Sequence, residues 1–162
     1  MNQQRPDRAE WQQDLHWVSV LLRAALGSLF LSAAISKVPG GTSGTVAYYS
    51  TLFEHSLLPR VLVTTHASVI LWVEFLLAFW LLSGYRLALA WKASALVLVS
   101  LAVGMLFAGK FDVASDNYLY VALALGGLVT SRFDRWVLGV APSAASEREH
   151  QLEPRAQQAP AR

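Results

Sequence analysis

The stretch VLVTTHASVILWVEFLLAFWLL, Val61 to Leu82, decides the fold. As a helix it is about 33 Å long, enough to cross a hydrocarbon core of roughly 30 Å. Its only ionisable groups are His66 and Glu74. A soluble core would have to hide all faces of a segment far longer than the usual globular helix of about 11 to 12 residues. Three further apolar runs lie around it. WVSVLLRAALGSLFLSAAIS, Trp17 to Ser36, carries one charge, Arg23, and LALAWKASALVLVSLAVGMLFA, Leu87 to Ala108, carries one, Lys92. NYLYVALALGGLVT, Asn117 to Thr130, is about 21 Å as a helix and short for a span, with Ser115 a reasonable N-cap for an earlier start.

The whole sequence agrees with a lipid solvent. Of its 162 residues 54% are hydrophobic and 15% charged, against roughly one quarter charged in a soluble domain. The net charge of +2 comes from Lys and Arg scattered at segment ends; without a basic stripe, nucleic acid is excluded as a partner. The absence of cysteine excludes disulfides, thiolate metal sites and CxxC redox chemistry. Ser32 and Ala34 resemble a signal-peptide cleavage site, but the three acids ahead of the run and its length favour a retained span.

The expected architecture is all-α: an integral membrane bundle of four transmembrane helices with a short interfacial helix between the first and second. Residues 1–16 read as a cytoplasmic tail, 17–140 as the membrane domain and 141–162 as a disordered tail rich in Ala, Gln, Glu, Pro and Arg. In the linker from Lys37 to Arg60, Pro39, Gly40, Gly41 and Gly44 break the helix. TVAYYSTLFEHSLL then predicts a helix along the membrane surface, ended by Pro59. The glycines lack the Lys-Ser/Thr pair of a phosphate loop. After Arg135, WVLGVA predicts a dip into the interface.

Basic residues set the orientation, because cytoplasmic flanks carry the excess of Lys and Arg. With the N-terminus inside, Arg5, Arg8, Arg86, Lys92, Arg132 and Arg135 lie inside, against Lys37, Arg60 and Lys110 outside. The same arrangement gathers Trp17, Trp80, Tyr85, Trp91 and Trp136 at one interface as an aromatic belt. Both termini are thus expected in the cytoplasm, with the chain in a bacterial-type inner membrane.

Ionisable groups at membrane depth need partners or a wet cavity. Counted from helix ends, Arg23 and Glu74 reach similar depths and are expected to pair, either as a lock between two helices or as a polar pocket for a quinone or lipid head group. Lys92 and His66 complete this candidate intramembrane cluster. Arg23, Gly27, Phe30, Ala34 and Lys37 share one stripe of the first helix, and Ala24, Ser28, Ser32 and Ser36 form an adjoining small-residue ridge suited to close packing. No second histidine shares a segment with His66, so neither metal nor haem is expected. No nucleophile has a neighbouring base, and Asp112 with Asp116 reads as solvated loop; no catalytic residues are assigned.

The motif R-x-x-x-G-x-x-F at Arg23, Gly27 and Phe30, the Ser36-Lys37 ending, and Glu74 followed by Leu81-Leu82-Ser83-Gly84-Tyr85-Arg86 resemble the DoxX family. Tyr49, Leu52 and the Leu57 to Pro59 segment look like its MauE branch, over about residues 17 to 130. The resemblance implies a four-helix membrane protein associated with redox systems, such as methylamine dehydrogenase maturation or thiosulfate:quinone oxidoreductase, and picks out Gly27, Lys37, Gly84 and Arg86 beside Arg23 and Glu74. Some MauE-like proteins have cysteines before the last helix; Gly109 to Asp116 has none. The expected role is an accessory subunit or assembly factor of a membrane redox complex, with other membrane or redox subunits and the bilayer as partners and no evident cofactor. The rivals are a quinone-interacting subunit and a small-solute transporter, the latter weakened by the lack of inverted repeats.

Overall fold

The computed structural model of the protein describes residues 8–136. Five α-helices follow in order: α1 (Arg8–Lys37), α2 (Gly41–Leu52), α3 (Arg60–Ser83), α4 (Leu87–Phe107) and α5 (Phe111–Thr130). Short 3-10 turns occupy Val38–Gly40 and Ser131–Phe133, and there is no strand among the described residues. The stretch Glu10–Leu52, with α3 and α4, gives three helical segments long and apolar enough to cross a bilayer. Of their most apolar parts only 33–39% is buried, so most of that surface, including Leu21, Leu62, Trp72, Phe79 and Leu96, faces outward. Water would penalise such a surface and lipid does not, which makes this a multi-pass membrane protein.

Turn chemistry explains where the helices stop. Pro39 lies in the 3-10 turn after α1, and Gly41 at φ 56° closes that turn by donating its N–H to the Val38 carbonyl, a conformation only glycine adopts freely. Pro59, extended at φ −60° and ψ 131°, caps α3. Gly84, left-handed at φ 72°, returns its N–H to the Leu81 carbonyl and ends that helix. Arg86 follows in the same region at φ 43°, so two left-handed residues produce the tight reversal into α4.

The helices close into a bundle in which α1 touches α3 and α5, α4 packs chiefly on α5 and less on α3, and α2 lies against α3. At the end where α1 begins, Leu26, Phe30, Leu77, Leu81, Trp91 and Leu98 form one core. At the α2 end, Tyr49, Phe53, Val63, Ile70 and Met105 form a second. Two glycines permit the closest approaches. A Cβ on Gly27 would stand 2.9 Å from the Leu82 side chain, and one on Gly127 would overlap the Trp91 indole.

Several boundaries differ from expectation. Helix α1 starts at Arg8, inside the segment read as tail, and α5 starts at Phe111, six residues ahead of Asn117. Asp112 and Asp116 therefore sit in its first turns, where the helix dipole favours acids. Gly41 and Gly44 belong to α2, and only Val38–Gly40 breaks the path. The ridge of Ala24, Ser28, Ser32 and Ser36 faces outward, while Arg23, Gly27, Phe30 and Ala34 are the buried stripe. The expected interfacial WVLGVA and the tail 141–162 lie outside the described residues, apart from Trp136.

Candidate functional site

Two buried carboxylates organise the polar chemistry. Asp134 follows α5 and its 3-10 turn, and its side chain is fully buried. Ser19 Oγ donates to Asp134 Oδ2 at 3.1 Å, Arg23 Nη1 donates to the same oxygen at 3.2 Å, and the Trp136 N–H donates to Oδ1 at 2.9 Å. Arg23 Nη1 also donates to the Trp136 carbonyl at 2.8 Å. The Arg135 N–H donates to His16 Nδ1 at 3.2 Å. Nδ1 is thus an acceptor, and its 3.8 Å approach to Asp134 Oδ1 is not an ion pair. The rings of Trp17 and Trp136 meet edge-on with centroids 5.9 Å apart, and His16 stands 5.5 Å from Trp136.

The second carboxylate, Glu74, is only 3% exposed on α3. Lys37 ends α1, and side chains lean toward the N-terminus of their helix. Its stem runs back one turn to place Nζ 2.9 Å from Glu74 Oε1, 2.7 Å from Oε2 and 3.0 Å from the Ala33 carbonyl. All three ammonium protons are engaged.

The expected pairing of Arg23 with Glu74 does not occur. Gly27 stands opposite Ala78 and Leu82, which sets the register of the antiparallel helices. Arg23 lies one turn beyond Gly27 toward the start of α1, and Glu74 lies one turn beyond Ala78 the other way. The two are about 12 Å apart along the bundle. Counting from apparent helix ends failed because α1 begins nine residues before Trp17.

The remaining expected residues scatter. Lys92 is exposed on α4 and makes no ion pair among the described residues. His66 is half-buried on α3 and lines a cavity beneath α2. Gly27 is a helix contact and Gly84 a helix cap, while the Arg86 guanidinium lies 5.8 Å from the centre of the Tyr85 ring. Sequence reasoning passed over Asp134, Ser19 and His16. The signal was present: placing Arg132 and Arg135 on the side of the α1 N-terminus put Asp134 there too, within reach of Arg23. Among the described residues, no three His, Asp or Glu side chains converge as metal ligands.

The model of one protein family, described as methylamine utilisation protein MauE, matches residues 15–116. The chain belongs to the MauE family. That match takes in Arg23, Lys37, Glu74 and the cavity under α2, and stops before Asp134. Comparison with curated proteins and with solved structures gives no match.

Proposed function

We propose that this MauE-family chain is an accessory subunit or assembly factor of a membrane redox complex in methylamine utilisation, without catalytic activity of its own. The observation that supports this most is the closure of both buried carboxylates: Glu74 by Lys37, Asp134 by Arg23 and Ser19. Groups so engaged hold helices together and offer no free acid or base. In this reading α5 is a fourth span, α2 lies at the outer surface, and both termini face the cytoplasm of an inner membrane, as the basic flanks favour. A four-helix bundle of DoxX type follows.

The rival in which Arg23 and Glu74 together hold a quinone head group loses its geometry, since each is paired elsewhere. Purification from native membranes in mild detergent tests the proposal: co-elution with dehydrogenase or electron-transfer subunits is expected. A monomer without any stable partner, with amine-dependent growth unaffected by deletion, would refute it.

A further inference from the structure

Lys92 and Arg132 are two cations without an acid. Both are exposed, and neither makes an ion pair among the described residues. Within α4 and α5 the only carboxylates are Asp112 and Asp116, and the nearer of these lies about 15 Å from Lys92 along the bundle. Asp134, just after α5, is already held by Arg23 and Ser19. Lys92 stands about 7.5 Å inside the start of α4, on a face turned to lipid, where an ionised group needs a partner.

Packing places the two cations at one end of the same seam. The Trp91 indole rests on Gly127, so Lys92, one residue on, is level with the last turns of α5. Leu101, nine residues further at about 100° each, points the opposite way from Lys92 and packs on the core shared with α2 and α3. Lys92 therefore looks away from α3, onto the outer side of the α4 and α5 pair. Arg132 lies in the 3-10 turn after α5, which touches α4, and its guanidinium stands 5.1 Å from the centre of the Phe133 ring. The two Cα atoms are about 10 Å apart along the bundle. The Lys92 stem closes most of that gap, because it leans toward the N-terminus of α4 and hence toward Arg132. One turn before Lys92, the exposed Ala88 leaves the space unfilled. In the other direction the seam is apolar, lined by the exposed Leu96, Val99 and Leu125.

We propose that Lys92 and Arg132 together bind the phosphodiester head group of an anionic phospholipid, whose acyl chain lies along Leu96, Val99 and Leu125. Basic pockets between membrane helices take such head groups. Phosphatidylglycerol neutralises the local positive charge, whereas phosphatidylethanolamine carries its own ammonium and does not. The inference rests on α5 being a span, as proposed above. It is independent of the accessory role, because it concerns lipid binding by the isolated protein.

The test uses the full-length protein in dodecyl maltoside, titrated with phosphatidylglycerol or with phosphatidylethanolamine of the same acyl chains, and native mass spectrometry reads the lipid retained. One phosphatidylglycerol per chain is expected to bind, about tenfold tighter than phosphatidylethanolamine. Lys92→Gln and Arg132→Gln should each weaken it about fivefold; both side chains are exposed, so the helical content of the variants stays normal. Lys110→Gln removes an equal charge from the other end of α4 and leaves binding unchanged. Glycerol 3-phosphate at millimolar concentration does not compete, because it has no chain to lie in the seam. Equal retention of the two lipids overturns the proposal, as does a loss in Lys110→Gln that matches the loss in Lys92→Gln. A loss confined to one of the two site variants overturns the shared site, and displacement by glycerol 3-phosphate overturns the lipid as its ligand.

Discussion

Replacing Lys37 by Met leaves the Glu74 carboxylate buried beside helix α1 without its counter-charge. The Glu74 side chain is 4% exposed and that of Lys37 21%, so water relieves the carboxylate little. Breaking a buried pair by removing one partner costs about 3 to 5 kcal/mol. The partial exposure of the ammonium argues for the lower end, about 3 kcal/mol, or roughly a hundredfold in the folding equilibrium. Glu74→Leu strands Lys37 instead, but that longer side chain can turn toward the surface, so its cost should be smaller. Because an apolar pair can replace a buried ion pair at little cost, the Lys37→Met/Glu74→Leu double variant should recover most of the loss. The assay is reversible unfolding in mixed SDS and dodecyl maltoside micelles, followed by helical circular dichroism, for the full double-mutant cycle. Additive losses, or a Lys37→Met protein as stable as the parent, would refute the claim that the two groups meet in a dry environment.

Four further outcomes follow from particular contacts. Asp134→Ala, which strands Arg23, should cost about 3 kcal/mol or more and speed protease cleavage after α5, measured by limited proteolysis; Arg23→Met in the same chain should restore resistance. Gly127→Ala should destabilise by about 1 to 3 kcal/mol, because the Trp91 ring cannot yield. Gly27→Ala should cost less in the same unfolding assay, since it meets only the flexible end of Leu82. Ser94→Ala should be neutral or stabilising by up to about 1 kcal/mol, because the Ser94 hydroxyl is buried without a partner among the described residues; a clear loss of stability would contradict that. Since the sequence has no cysteine, Glu54→Cys and Arg86→Cys each give a single label site. Impermeant maleimide should reach Cys at 54 on intact cells and Cys at 86 only after permeabilisation, and the reverse pattern would overturn the orientation.

The helices were legible because membrane spans advertise themselves by length: Val61 to Leu82 and Leu87 to Ala108 agree with α3 and α4 to within a residue or two. Their ends were less so. The amphipathic residues 8–16 carry too many charges to read as part of a span, yet they continue α1 because nothing breaks the helix ahead of Trp17. The importance of Lys37 and Glu74 could be read from the cost of charge in lipid, but their pairing could not. It depends on register, which Gly27 sets against Ala78 and Leu82 through contacts between segments about fifty residues apart. Asp134 was hidden for a different reason. Flanked by Arg132 and Arg135 in a polar stretch, it looks like an ordinary solvated acid, and only the return of the chain to α1 removes it from water.

The bond between Arg23 and Asp134 spans 111 positions of sequence. A ribosome adding about 5 to 20 residues per second delivers the guanidinium to the insertion machinery roughly 6 to 22 s before its carboxylate exists. During that interval the first helix carries a charge that the bilayer core rejects, so it must wait in a hydrated channel or lean toward the surface. Only the arrival of the last segment discharges the debt, and a nascent polypeptide released early would be marked as unfinished by its own orphaned arginine.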